Sequence, residues 1–276
     1  TFYNPSEDYS QVARRHFVEE VLESYRQELL RDRIGDLSQI QVFTIDTDNT
    51  EMVIQDEDKA AGKMLGMFLP YFITMMLFAG VMSLGIDSIT GEKERGTLAM
   101  LLLTPLQRSS IVLGKILALM LLSGLSAATY VVAMVISLPK IMGGGGIFEG
   151  FNINFTVGQV LEMVAIMVSL VFLYVAVVSL VAVLVRTAKE GGAYVAPLYI
   201  IVIAAGLITM YGASEPQLTS YLIPLYNSAL AMKELFTREL SLLEFIITVV
   251  STLAAGGILT GIIVKAFNSE KVMFNA

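Results

Sequence analysis

The sequence predicts a mainly helical, polytopic membrane protein with five visible transmembrane helices, six being expected in the full subunit, and a small α+β extracellular domain ahead of them. Composition is the first reason: 55% of the 276 residues are hydrophobic and only 16% charged, where a soluble domain carries about a quarter charged. Mean hydropathy, at +0.70, agrees. The charge is also segregated. Residues 1–63 hold fourteen Asp/Glu and seven Lys/Arg, which accounts for the whole net charge of −7, whereas residues 64–276 hold eleven of each sign. A short acidic segment is joined to a long apolar one.

Residues 1–63 read as part of the extracellular α+β domain. Over 11–33, Val18, Val21, Leu22, Tyr25 and Leu29 recur with helical spacing and form one apolar stripe. Gly35 suits a helix stop, and the alternation in "QIQVFTIDTDNT" (39–50) predicts a strand closing in a turn. Sixty residues are marginal for an independent fold, so a larger domain beginning upstream is expected.

The second segment, 64–276, is the transmembrane domain. Its apolar runs at 64–86, 111–138, 161–185, 193–211 and 245–267 each reach the roughly twenty helical residues needed to cross a bilayer. The stretch 214–243 is too interrupted by Pro216, Pro224 and charges to span, and reads as short helices packed at or in the outer leaflet. Basic residues set the orientation. Lys93, Arg95, Arg108, Lys115, Arg186, Lys189, Lys265 and Lys271 fall on one side, against Lys140, Lys233 and Arg238 on the other. The first side is expected to be cytoplasmic, with the C-terminus inside and the N-terminal domain outside, in a multi-pass plasma-membrane protein. Parity then calls for a further span before Thr1.

Several chemistries are excluded. Without cysteine there is no disulfide framework or thiolate site, and with His16 as the lone histidine no zinc-protease motif is possible. No metal ligands or catalytic residues are assigned. A pI near 4.8 leaves no basic face for nucleic acid. The span interiors hold no carboxylate, the usual mark of an intramembrane ion relay. Hydroxyls of Tyr71, Thr74, Tyr130, Tyr174 and Tyr199 remain as candidates for a substrate pathway, each equally suited to packing. Gly256, Gly257 and Gly261 read as a helix-packing face, within the chain or across a dimer.

Between spans one and two lies "GEKERGTLAMLLLTP" (91–105). Laid on one helix over 89–104, it puts Leu98, Leu101 and Leu102 on one face behind a mixed-sign turn, Glu92, Lys93, Glu94 and Arg95. Such a helix suits either the headgroup region or a docking partner, and mixed charges favour a protein over an anionic leaflet. "DSITGEKERGTLAMLLLTPLQRSSIVLGKILA" (87–118) resembles the signature of type-2 ABC exporter permeases, and "FNSEKVMF" (267–274) the tail of their sodium-efflux, NatB-like branch. The resemblance covers about 64–274. It implies that Gly91, Glu92, Lys93, Glu94, Arg95, Gly96 and Thr97, with Leu98 and Leu101 behind them, meet an ATP-binding-cassette ATPase subunit. Arg186, Lys189 and Glu190, in "RTAKEGG", map to a second, smaller contact. It also implies a second permease chain, identical or not. ATP and Mg²⁺ would belong to the partner, and consistently no G-x-x-x-x-G-K-[ST] occurs in this chain. The other classes left open are a membrane-anchored sensor or assembly protein, and a secondary transporter.

Overall fold

The computed structural model describes residues 8–34, 57–142, 156–212 and 216–268. The chain divides into two compact units, Thr1–Lys63 and Met64–Ala276.

In the first unit α1 (Asp8–His16) runs through a π-helical turn, Phe17–Leu22, into α2 (Glu23–Ile34). The wider π-turn shifts the side-chain register, so the expected stripe does not stay on one buried face. Val21 and Tyr25 are exposed while Leu30 is buried. His16 is a surface residue beside Glu20, at 3.0 Å. The α+β character expected here is not supported: among the described residues there is no strand, and Gly35 and 39–50 lie outside them.

The second unit is mainly helical in its described residues. Among the described residues, five helices are long and apolar enough to cross a membrane: Leu65–Glu94, Arg108–Tyr130, Val157–Leu184, Ala188–Tyr211 and Leu242–Phe267. They belong to α3 (Glu57–Ile86), α6 (Arg108–Met142), α7 (Val157–Leu184), α8 (Ala188–Tyr211) and α10 (Leu242–Asn268). Three of these begin at a Ser/Thr whose side chain takes a free amide of the first turn. Thr156 and Gln159 cap α7 reciprocally. Thr187 accepts from the Glu190 amide at α8, and Ser241 and Glu244 do the same at α10. These caps move the expected starts of spans three to five a few residues upstream.

Helix α7 lies at the centre, packed by α6, α8, α9 (Tyr226–Thr237) and α10. Its buried face includes Ile166, Leu170, Tyr174, Val175 and Val178. Gly256 of α10 lets Phe172 approach so closely that a Cβ there would lie 2.7 Å from its ring, whereas Gly257 and Gly261 face open space. The glycine face is therefore split: one residue packs within the chain and two do not. The stretch after span four forms the expected short helices, a 3₁₀ turn at Leu218–Leu222 and then α9.

Candidate functional site

Span one does not stop at Ile86. It continues through a π-turn, Asp87–Gly91, into α4 (Glu92–Glu94), then breaks at Gly96 and resumes as α5 (Thr97–Leu102). Gly96 sits at φ +73°, a left-handed conformation that residues with a Cβ adopt at a penalty. Residues 89–104 are thus not one helix. The charges end span one and the leucines form a separate helix behind a glycine hinge. Leu98 is buried and Leu101 packs against the core, as the sequence placed them, while Met100, Leu103 and Leu106 stand exposed.

Each of the four charges has a partner within the chain. Glu92 pairs with Lys115 of α6 at 2.6 Å, and Lys115 also donates to the Ser88 carbonyl at 3.0 Å. Lys93 Nζ donates to the carbonyls of Val183 (2.5 Å) and Val185 (3.3 Å) at the end of α7. Glu94 Oε2 accepts from the Ala188 amide at the start of α8 (3.1 Å). Arg95 reaches back to Asp87, 3.1 Å away and exposed. One turn earlier Thr90 donates to the Ala182 carbonyl at 3.0 Å. The Thr90, Lys93 and Glu94 bonds satisfy helix-end groups of α7 and α8 that have no partner inside their own helix. The smaller loop joins the same cluster through the Ala188 amide; within the loop Glu190 Oε2 accepts from the Arg186 amide at 3.0 Å, and Lys189 is exposed.

Of the five candidate pathway residues, Tyr174 and Tyr199 meet around one ring. Phe78 stacks on Tyr199 (5.8 Å between centroids) and meets Tyr174 edge-on (4.9 Å), tying α3, α7 and α8 together. Tyr71 packs on Gly206, where a Cβ would come within 2.7 Å of its ring. The Thr74 hydroxyl is taken up by the carbonyls of Pro70 and Tyr71. Tyr130 is exposed on α6, near Gly80.

A second polar cluster, at the opposite end of the helices, escaped the sequence reading. Asn227 of α9 is fully buried. Its amide nitrogen lies within 2.9–3.4 Å of Ser251 Oγ, Thr252 Oγ1 and the carbonyls of Tyr221 and Thr248. Its oxygen accepts from Ser228 at 3.1 Å and Thr252 at 3.3 Å. Just before it, Leu225 holds φ +77° and ψ −56°, the geometry of a strained γ-turn. The Tyr221 hydroxyl donates to Glu234. Burial pushes the Glu234 carboxyl above the usual carboxylate range; Glu244 and Glu239 push the same way, and the tyrosine hydrogen bond and Lys233 oppose. Burial, then the Glu234 hydrogen bond and charge, raise Tyr221 as well. Lys233 Nζ donates to the Thr209 carbonyl at the end of α8 (3.2 Å).

Among the described residues, five long apolar helices, four of them joined by a polar cluster at the loop end, define a polytopic α-helical membrane protein. The chain belongs to the ABC-2 family of transporter proteins, which its residues 1–265 match. It is 27% identical over 241 residues to the ABC transporter permease protein NatB of Bacillus subtilis (strain 168), covering 84% of this chain. The chain spans 60% of that relative's length. The resemblance drawn from the loop and the tail is borne out at this level. No solved structure matches the chain.

Proposed function

We propose that the chain is the membrane-spanning part of an ATP-driven exporter subunit, working with a separate ATP-binding-cassette ATPase and a second permease chain. The 91–104 loop is the coupling element, and the loop end of the helices is cytoplasmic. The carrying observation is the division of labour within that loop. Its charges and its buried Leu98 anchor it to spans one to four, while Met100, Leu103 and Leu106 stay exposed on the far side of the Gly96 hinge. An anchored segment with a free apolar ridge suits a docking surface. Orientation is supported by Lys93, Arg95, Lys115, Arg186 and Lys189 lying at this end, against Lys233 and Arg238 by α9. The substrate class is Na⁺ or an amphipathic compound, in keeping with span interiors lined by hydroxyls and apolar groups without carboxylates.

The test is ATP-dependent flux in proteoliposomes holding the full-length subunit and its partner ATPase, with Na⁺ and lipophilic dyes as probes. Efflux with ATP, absent without the ATPase, is the expected result; uptake driven by an ion gradient alone would favour a secondary transporter. Met100→Asp with Leu103→Asp, on the exposed ridge, should reduce ATPase co-purification and flux moderately, and Leu98→Asp with Leu101→Asp should abolish both. Orientation is checked on this Cys-free chain by maleimide labelling of intact cells. A cysteine at Gln217 should label, and one at Glu190 should not.

A further inference from the structure

We infer that Lys93 and Glu94 are the positioning residues through which a displacement of the loop enters the junction between spans three and four. The inference rests on the coupling role proposed above. Helix α7 ends at Leu184 and α8 begins at Ala188, so only residues 185–187 turn the chain. So short a turn leaves the last carbonyls of α7 and the first amides of α8 in need of partners. Two consecutive residues of span one supply them. The Lys93 ammonium grips the Val183 and Val185 carbonyls, and the Glu94 carboxylate takes the Ala188 amide. Thr90, one turn earlier, holds the Ala182 carbonyl at 3.0 Å.

The signs match the helices they hold. A cation at a helix C-terminus and an anion at an N-terminus are both favoured by the peptide dipoles, so both bonds strengthen the same three-residue hinge. The neighbouring charges point elsewhere: Glu92 to α6, and Arg95 to Asp87 of its own helix. Packing leaves no slack in the joint. At Gly191 of α8 a Cβ would lie 3.2 Å from Ile86 Cγ2 and 3.3 Å from Val185 Cγ2. Closely packed interfaces shift between discrete arrangements and do not deform smoothly. A push on the loop therefore moves the ends of spans three and four together with the end of span one.

The experiment uses the full-length subunit bound to its partner ATPase, with one reporter cysteine in the Cys-free chain at Gly192, where a side chain meets nothing within 4 Å. The maleimide labelling rate is measured with and without a non-hydrolysable ATP analogue. The parent should show a change of about fivefold or more on adding nucleotide, the scale of ordinary coupling between sites. Lys93→Met with Glu94→Gln should flatten that change, with ATPase co-purification held within about twofold of the parent. Lys93→Arg, which keeps the cation, should restore most of it. A double variant that keeps the full nucleotide response overturns the inference. Loss of ATPase binding in the double variant also overturns it, because the pair would then belong to the docking face. A parent that binds ATPase but shows no response at position 192 overturns it and leaves the coupling reading standing. A parent that binds no ATPase fails both.

Discussion

At the loop end, spans one to four are joined through Glu92, Lys93, Glu94 and Thr90, mostly by ionised groups at half-exposed positions. At the other end, α9 is joined to α10 through Asn227, Ser228, Ser251 and Thr252, all neutral and, apart from Ser251, fully buried. Burial explains the choice. An ion that loses its partner inside the protein leaves an uncompensated charge, so charges belong where water can take over. An amide with several acceptors holds firmly in the interior, where each unmade hydrogen bond is expensive. The half-exposed ionic bonds can thus be broken at less cost than the buried amide and hydroxyl bonds around Asn227.

The sharpest way to break this comparison is Asn227→Leu. It removes the centre of the buried cluster and strands the Ser228 and Thr252 hydroxyls, while Ser251 keeps its bond to the Tyr221 carbonyl. We expect a loss of about 2–4 kcal/mol, read as thermal unfolding in detergent; a loss below about 1 kcal/mol would make the cluster incidental. Next is Gly96→Val. No atom lies within 4 Å of the added Cβ, so the penalty is backbone strain alone, about 1–2 kcal/mol, with Gly96→Asn losing less.

Smaller and dependent on pH is Glu234→Gln. The raised carboxyl keeps its proton in the folded protein at pH values where the unfolded chain has released it. Stability from this group is therefore full below the ordinary carboxylate range and falls as pH rises through the folded value. The variant should melt higher than the parent at pH 8, and the gap should close as pH falls toward about 4. An unchanged gap across that window would remove Glu234 as its cause. Smallest of all is Arg95→Gln, where an exposed pair is worth about 0–1 kcal/mol. Its melting temperature should match the parent's within error.

The five spans were legible because a backbone crossing lipid must satisfy its own hydrogen bonds, and only long apolar helices do so. Their ends were less legible, because polar residues continue each helix beyond its apolar run, as Glu92–Glu94 continue span one. The pairs Thr156/Gln159, Thr187/Glu190 and Ser241/Glu244 were present in the sequence as start signals and place the true beginnings. In the loop, the charge run was visible but its partners were not. Lys93 binds a carbonyl 90 positions on and Glu94 an amide 94 positions on, and no local pattern encodes such pairings. The Asn227 cluster was hidden for a different reason. Charge counting passes over amides and hydroxyls, and its members are spread from Tyr221 to Thr252. The one local clue was an Asn set among apolar residues in "LYNSALAM".

Span one runs unbroken from Leu65 to Glu94, 30 residues, or about 45 Å at the usual helical rise. A hydrocarbon core is about 30 Å thick, so roughly a third of this rod stands outside the lipid. The bilayer then acts as a fulcrum with unequal arms. With the pivot inside the bilayer, about 30 Å from the far tip, a tilt of about 10° swings that tip by about 5 Å, close to one helical turn. On the proposed coupling role, leverage of this kind would convert a modest rocking in the membrane into a larger stroke at Glu94, and a push at Glu94 into a smaller rotation between the helices.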